Sequence, residues 1–223
     1  MSECLVYSRP PSPPKDRVAA LGAYPTAAIS DGLGRIGGAP GLRPFSKATS
    51  VVGTAFTVQT RPGDNLAVHK ALDLAGPGDV MVIAGSSNRE RALIGGLACH
   101  YAVSQGIKGI VLDGAIRDLD ELSDFDIPIY ALDVSHQGPY KDGPGVIGGP
   151  VAIRGTSVDT GDVVVTDQDG VAFVPRLRIN EAIEGAAKIM ENEAQSMAAI
   201  KSGEWKRPFV ESVIVRHVER DKG

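Results

Sequence analysis

Two short segments of this chain carry residue types that could do chemistry, and the first is a glycine pair. Gly95 and Gly96 precede Leu97 and Ala98. Because glycine in a helix interior costs up to ~1 kcal/mol relative to alanine, the pair fits best at the start of a helix. The amides of Leu97 and Ala98 would then point outward, where the positive end of the helix dipole favours a carboxylate or phosphate. Close packing of helix on sheet explains the glycines equally well.

The second segment is the loop that carries Arg117 and Asp118. It follows a predicted strand at 109–112, and ligands of α/β sheets bind at the carboxyl ends of strands. The guanidinium of Arg117 can hold a carboxylate or an enolate oxygen with two hydrogen bonds. Asp118 offers the hard oxygen ligand that Mg²⁺ or Mn²⁺ accepts. An ordinary Arg–Asp pair, with Asp118 as the N-cap of the next helix, fits the spacing as well.

A third candidate is Glu193, which interrupts an apolar stripe on the last predicted helix, at about 177–202. The stripe consists of residues at helical spacing: Ile179, Ile183, Ala186, Met190, Met197 and Ile200. A carboxylate in such a gap is expected to be buried or at an interface. A salt-bridged residue at the edge of the stripe is the alternative. His100, on the helix that begins near Gly96, is interpreted as a packing residue.

The elements that must position these residues alternate between helices and strands. The pattern predicts helical segments within 15–36 (split near Tyr24-Pro25), 65–74, 95–105, 118–124 and 177–202, and strands at 51–60, 80–84, 109–112, 128–133, 150–154, 163–166 and 171–174. We expect a loop at 134–149 and a hairpin at Asp169-Gly170. This order predicts a layered α/β fold. We assign one domain over 1–223, with a proline-rich extension at 1–14 and a closing helix at 176–205.

The composition excludes several classes of protein. With 43% hydrophobic and 22% charged residues among 223, the chain can bury a core and is not intrinsically disordered. No apolar run approaches the ~20 residues that span a bilayer, and a net charge of −4 argues against nucleic acid as a ligand. Cys4 and Cys99 form neither a disulfide framework nor a zinc site. The N-terminus lacks a signal-peptide pattern, so we expect a cytoplasmic protein.

Taken together, the motifs resemble the RraA-like family, which includes the class II 4-hydroxy-4-methyl-2-oxoglutarate aldolases. The likeness covers about residues 20–205 and lies in TAAISDGL, RPGDNLAVHKALDLAGPGDVMVIAGSS, GGLA, GIKGIVLDGAIRD, PIYA and VVVTDQDGVAFVP. It implies a layered β/β/α, swivelling-domain-like sandwich with a mixed sheet. It also implies a homotrimer or homohexamer with active sites at subunit boundaries.

The resemblance implies a lyase that depends on Mg²⁺ or Mn²⁺ and acts on small 2-oxo acids through a pyruvate enolate. The pyruvoyl group of the substrate would lie on the amides of Leu97 and Ala98, beside the glycine pair. Arg117 would stabilise the oxyanion, and Asp118 would hold the metal mostly through its water shell. Cleavage of 4-hydroxy-4-methyl-2-oxoglutarate and decarboxylation of oxaloacetate share this enolate, so one site could catalyse both reactions.

Two further acids are carried over by the resemblance. Glu193 is similar to an acid on the closing helix that reaches a neighbouring subunit's active site, and Asp31 of SDGL resembles a family acid near the same site. The chain departs from the family at Gly96, where aldolases often have an acid, which leaves the substrate open. The alternative function is a non-catalytic regulator that binds a ribonuclease. Asp118 weighs against it, because a pure binder needs no metal carboxylate.

Overall fold

A computed structural model describes residues 3–217. The strands in this range are β1 Cys4–Val6, β2 Arg43–Pro44, β3 Val51–Thr60, β4 Asp79–Ile94, β5 Gly109–Ile116, β6 Ile129–Val134, β7 Gly145–Ile147, β8 Val151–Ile153, β9 Thr156–Val158, β10 Val163–Asp167 and β11 Gly170–Val174. The helices are α1 Lys15–Leu21, α2 Thr26–Gly32, α3 Leu66–Leu74, α4 Gly96–Ser104, α5 Leu119–Leu122, α6 Ile179–Ser202 and α7 Pro208–Glu211.

The main sheet has the strand order β1-β7-β3-β4-β5-β6-β2. Its centre, β3 to β6, is parallel, and helices α3, α4 and α5 connect these strands in turn. Strands β2, β7 and β10 pair antiparallel with their neighbours in this centre. The sheet is therefore mixed, as expected, and the hairpin of β10 and β11 extends it from β3.

Alternation along the strands sets the layers, because successive side chains of a strand point to opposite faces. In β4, Met81 and Ile83 pack in the cluster that includes the buried sides of α3 and α4. Val80 and Val82 point to the other face, toward β8–β9 and β10–β11. Helices therefore cover one face of the sheet, and β-hairpins cover the other.

The β10–β11 hairpin is itself buried on both faces. Val164 and Phe173 face the main sheet, whereas Val163 and Val165 join a third cluster with α1, α2 and α6. This adds the closing helix as an outer layer, and the layered α/β fold expected from the sequence is confirmed.

Two strands extend further than the sequence predicts, and this shifts the positions at which the loops of the site begin. β4 continues to Ile94 instead of ending at Ala84, and β5 continues to Ile116 instead of residue 112. The ladder between them passes through irregularities and ends at the pair Ile94–Ile116. Asp113 is therefore buried inside β5 and is not part of a loop.

The N-terminal segment also makes a strand pairing that the sequence pattern did not show. β1, in the proline-rich extension, pairs parallel with β7, which lies in the stretch expected to be loop. Arg9 continues this attachment through two hydrogen bonds to Asp79, of 3.0 and 2.7 Å, and its guanidinium lies over Phe56. Three-residue strands are too short for a period-2 pattern, so only their partners reveal them.

The helices between residues 3 and 217 include none that is long and apolar enough to cross a membrane.

Candidate active site

The two chemistry-bearing segments leave the sheet at the same point. Since Ile94 and Ile116 are paired at the ends of β4 and β5, Gly95 and Arg117 begin adjacent loops. The amide of Arg117 donates a 3.0 Å hydrogen bond to the carbonyl of Ile94. The amide of Gly96 donates a 3.0 Å hydrogen bond to Oδ2 of Asp118. The tertiary structure thus joins the glycine pair and the Arg–Asp pair into one site.

Asp118 has an unusual backbone for a residue with a side chain. It occupies the N-cap position of α5 with φ 63° and ψ 45°, the left-handed region, and its carboxylate makes no capping hydrogen bond. The carboxylate instead reaches back to α4, and Nε of Arg117 lies 3.6 Å from the same Oδ2. Asp118 therefore stands where a cap would, but its side chain serves the neighbouring helix.

The start of α4 confirms the interpretation of the glycine pair as a helix N-terminus. Gly95 is the N-cap, with extended φ −146° and ψ −172°. The first hydrogen bond of the helix runs from the amide of Cys99 to the carbonyl of Gly95. The amides of Leu97 and Ala98 precede it, and among residues 3–217 the structure gives them no acceptor. Leu97 is 85% exposed, so this first turn is open to a ligand.

Gly95 also allows a close approach, but the segment that comes close is the Arg117–Asp118 loop rather than the sheet. A Cβ on Gly95 would overlap Oδ2 of Asp118 and lie 3.0 Å from Cγ of Arg117. Leu93, Leu97 and Tyr101 stand at helical spacing in the sequence, which suggests one apolar helix face, but they are not the buried face of α4. Leu93 belongs to β4, and Leu97 and Tyr101 are exposed.

A carboxylate–imidazole pair, which was not predicted from the sequence, lies beside the first turn of α4. Nε2 of His100 is 2.7 Å from Oε1 of Glu121, and the imidazole lies against Phe125 with ring centroids 4.8 Å apart. The side chain of His100 is 64% exposed, so it packs against Phe125 from the surface rather than inside the core. The signal that could have found Glu121 is its position three residues after Asp118, one helical turn along α5.

The buried thiol of Cys99 lies near the carboxylates of Glu121 and Asp118. Burial, then the negative charges of Glu121 and Asp118, raise the pKa of Cys99 to about 12. The thiol is therefore protonated at neutral pH and is not a nucleophile. Both carboxylates act on the first turn of α4.

A second polar cluster adjoins the end of β4 and was not anticipated either. Nδ2 of Asn65 donates to the carbonyl of Leu93 at 2.9 Å, and Nζ of Lys141 donates to Oδ1 of Asn65 at 3.0 Å. Burial, reinforced by the charge of Lys141, lowers the pKa of His69 below its ordinary value. Lys141 thus adds a cation to the cluster that Asn65 ties to Leu93 of β4, beside a neutral imidazole.

The loop that carries Lys141 is held by the buried Asp64. Oδ2 of Asp64 accepts hydrogen bonds from the amides of Asp142 at 2.7 Å and Gly143 at 3.0 Å, and Oδ1 accepts one from Leu66 at 2.9 Å. Burial alone would raise the pKa of Asp64, but these amides, with Arg61, lower it. The ionised carboxylate is part of the scaffold of the site.

The single chain does not bring Asp31 or Glu193 into contact with Arg117 and Asp118. Asp31 lies on α2, where it pairs with Arg35 at 3.4 Å. Glu193 is exposed on the half of α6 beyond the last buried residue, Ala186. Within residues 3–217, Glu193 is therefore not buried by its own chain, and the later stripe residues are exposed too: Met190, Met197 and Ile200. Its place at an interface between subunits stays a prediction.

The residues present fit a hydrated divalent cation. Within residues 3–217, the hydrogen bond and the ion pair of the Asp118 carboxylate both fall on Oδ2 and neither uses Oδ1, and the side chain is 42% exposed. No group of three or more His, Cys, Asp or Glu within residues 3–217 could form a protein-only metal cage. Mg²⁺ takes one or two carboxylates and keeps several waters, so one accessible carboxylate suits it.

Comparison with known sequences decides the family. The sequence model of the RraA-like family, described as Aldolase/RraA, matches residues 26–173. The chain belongs to the RraA-like family. A relative from Halalkalibacterium halodurans, named "Putative 4-hydroxy-4-methyl-2-oxoglutarate aldolase", is 34% identical over 201 residues, covering 89% of this chain and 96% of the relative.

Solved structures of similar fold include RraA proteins. Streptomyces coelicolor RraAS2, described as an unusual member of the RNase ES inhibitor RraA protein family, matches with a TM-score of 0.75 and 26% identity, covering 83% of this chain and 98% of that chain. An uncharacterised protein from Pseudomonas syringae matches with a TM-score of 0.75 and 28% identity, covering 87% of this chain and 96% of its own. The RraA-like fold is thus shared along most of the chain.

Proposed function

We propose that this RraA-like protein is a lyase that cleaves carbon–carbon bonds of small 2-oxo acids and depends on Mg²⁺ or Mn²⁺. The observation that carries the proposal is the joint site at the ends of β4 and β5. There, the open amides of Leu97 and Ala98 lie next to Arg117 and Asp118. The aldolase name of the relative from Halalkalibacterium halodurans supports the substrate class. The substrates proposed are 4-hydroxy-4-methyl-2-oxoglutarate and oxaloacetate.

The positive groups of the site are each assigned to one negatively charged part of the substrate. The amides of Leu97 and Ala98 and the positive end of α4 bind the carboxylate of the pyruvoyl group. Arg117 faces the negative charge that develops on the 2-oxo oxygen when the C3–C4 bond breaks and an enolate forms. Donors already in place for that charge lower the barrier, and loss of one typically costs about 10²–10³-fold in rate.

Asp118 is the residue proposed to hold the cation. Mg²⁺ or Mn²⁺ held there would supply Lewis-acid chemistry toward a 2-oxo group. The hydrogen bond from Gly96 and the ion pair with Arg117 orient Asp118, and its left-handed backbone directs the carboxylate toward α4.

Assembly as a trimer or hexamer is part of the proposal. The half of α6 that carries Glu193 has an apolar side, and Met190, Met197 and Ile200 on it are exposed as far as residues 3–217 are concerned. A neighbouring subunit that covers this face would bring Glu193 to a site at the boundary, and Asp31 lies on α2, which packs against α6.

The test is pyruvate release from both substrates, with Mg²⁺ or Mn²⁺ and then with EDTA, after subtraction of the uncatalysed loss of oxaloacetate. Wild type is compared with Arg117→Ala and Asp118→Asn, and with Arg17→Ala as a surface arginine control on α1. We expect EDTA-sensitive release that is lost in both site variants and kept in the control. Release that is unaffected by EDTA would contradict the metal dependence.

A regulator that binds a ribonuclease is the second candidate, favoured by the similarity to a member of the RNase ES inhibitor RraA family. Release of pyruvate from neither substrate, with no effect of Mg²⁺ or Mn²⁺ on the melting temperature, would support it. A metal-dependent rise in melting temperature without release would instead indicate an enzyme for a different 2-oxo acid.

A further inference from the structure

We infer that Glu121 is the acid–base residue of this site, and that it delivers its carboxylate to the space which a side chain at position 96 would otherwise fill. The inference rests on the proposed function and adds to it the residue that moves the proton. Glu121 comes from α5, whereas the glycine whose space it fills is the first residue of α4.

The carboxylate of Glu121 occupies the position that a Cβ on residue 96 would take. A Cβ built on Gly96 would overlap Oε2 of Glu121 and lie 2.9 Å from its Oε1. The amide of this same Gly96 holds Asp118, and the next two amides form the open turn. The carboxylate of Glu121 therefore lies over the first turn of α4, next to where the substrate is proposed to bind.

His100 fixes the direction of this carboxylate. Its Nε2 engages Oε1 at 2.7 Å, and Phe125 supports the imidazole from the side. The other oxygen, Oε2, is the one that points over Gly96. His100 is thus a positioning residue, and Glu121 keeps one oxygen for the substrate. The side chain of Glu121 is 48% exposed, so a ligand can reach it.

Aldol cleavage requires such a group. In 4-hydroxy-4-methyl-2-oxoglutarate, Glu121 takes the proton of the 4-hydroxyl, and the O–H electrons form the new carbonyl of one pyruvate. The electrons of the C3–C4 bond pass to the enolate of the second pyruvate. The same proton then returns from Glu121 to C3, so two pyruvates form with no net gain or loss of protons.

Decarboxylation of oxaloacetate differs from aldol cleavage in the proton transfers that it requires. Its C3–C4 bond breaks as the carboxylate leaves as CO₂, so no hydroxyl proton has to be removed. The resulting enolate can take its proton from water. Loss of Glu121 should therefore affect the two reactions unequally, whereas loss of Arg117 should affect both.

The experiment measures kcat and KM for both substrates in wild type, Glu121→Gln and Asp120→Asn. The last variant removes a neighbouring exposed carboxylate of α5 and serves as the charge-matched control. We expect Glu121→Gln to lower kcat for aldol cleavage by about 10²–10⁴-fold, as for a general acid–base residue. Its KM and its oxaloacetate activity should change little, and Asp120→Asn should resemble wild type.

A relocation variant tests the geometry itself. Gly96→Asp combined with Glu121→Ala moves the carboxylate from α5 to α4, and we expect it to recover aldol activity relative to Glu121→Ala alone. Gly96→Asp by itself should be impaired, because its side chain collides with Glu121.

Four results would overturn the inference. Equal losses for the two substrates in Glu121→Gln, or full aldol activity in that variant, would show that Glu121 is not the acid–base group while leaving the lyase proposal intact. Failure of the relocation variant to recover activity, with a wild-type melting temperature, would reject the shared space. Absence of both activities in wild type would instead reject the proposed function, and the inference with it.

Discussion

The amide of Gly96 donates a 3.0 Å hydrogen bond to Oδ2 of Asp118, although 22 residues separate them in the sequence. This contact locks the first turn of α4 to the loop after β5. It also places the proposed metal ligand beside the proposed substrate amides. Because Asp118 has φ 63°, the contact depends on a backbone conformation that few side chains tolerate.

That conformation makes Asp118→Asn a better probe than Asp118→Ala. Asparagine tolerates the left-handed region and keeps an oxygen for the Gly96 amide, so we expect the apo melting temperature of Asp118→Asn to stay near that of wild type. Alanine adds the strain of about 1–2 kcal/mol typical of this region. Thermal melts with and without Mg²⁺ should show the metal-dependent rise in wild type alone. A full rise in Asp118→Asn would exclude Asp118 as the ligand.

Gly95→Ala should disrupt the site without disturbing the core. Its methyl group would overlap Oδ2 of Asp118, which forces the Arg117–Asp118 loop away from α4. We expect a loss of kcat of at least about 10-fold, since misplaced catalytic groups are costly. The control is Gly76→Ala, whose added Cβ meets nothing within 4 Å. Equal activities of the two variants would mean that the close approach is not needed.

Asp64 should make stability depend on pH in the acid range. The pKa of its carboxyl is lowered in the folded state, so its stabilisation is complete above the unfolded value of about 3.9 and declines as pH falls through the folded value. Asp64→Asn should cost about 2 kcal/mol at neutral pH, because charge-assisted hydrogen bonds are lost. Urea unfolding from pH 7 to pH 3 should show this difference shrink. A difference that is constant with pH would contradict the assignment.

Gly185→Ala should destabilise the protein, although alanine is the better helix former. Its Cβ would lie 2.7 Å from Cα of Gly32, at the contact between α6 and α2. Overpacking of this kind costs about 1–3 kcal/mol in the free energy of unfolding, against a gain of up to about 1 kcal/mol from helix propensity. Glu184→Ala, at an exposed position of α6, is the matched control for urea unfolding. Unchanged stability in Gly185→Ala would show that the helices separate at little cost.

The elements with strong periodicity, and the residue types with chemical potential near them, could be predicted from the sequence. Alternation and apolar runs located the central strands, and the glycine pair located the start of α4, because these signals arise from neighbours along the chain. Arg117 and Asp118 were found because they follow an apolar run, which is a local signal, although β5 itself extends past that run to Ile116. The resemblance to the RraA-like family came from the same motifs.

The contacts that the motif residues make with other parts of the chain could be seen only in the folded structure. The lengths of β4 and β5 depend on pairing between strands, and β1 and β7 exist through their partners. The approach of Glu121 to Gly96, the His100 contact and the cluster of Asn65 and Lys141 join residues far apart in sequence. Such contacts follow from how layers pack, and no local pattern encodes them. For the same reason, the exposure of Glu193 could be seen only once residues 3–217 were found to place no covering layer over this part of α6.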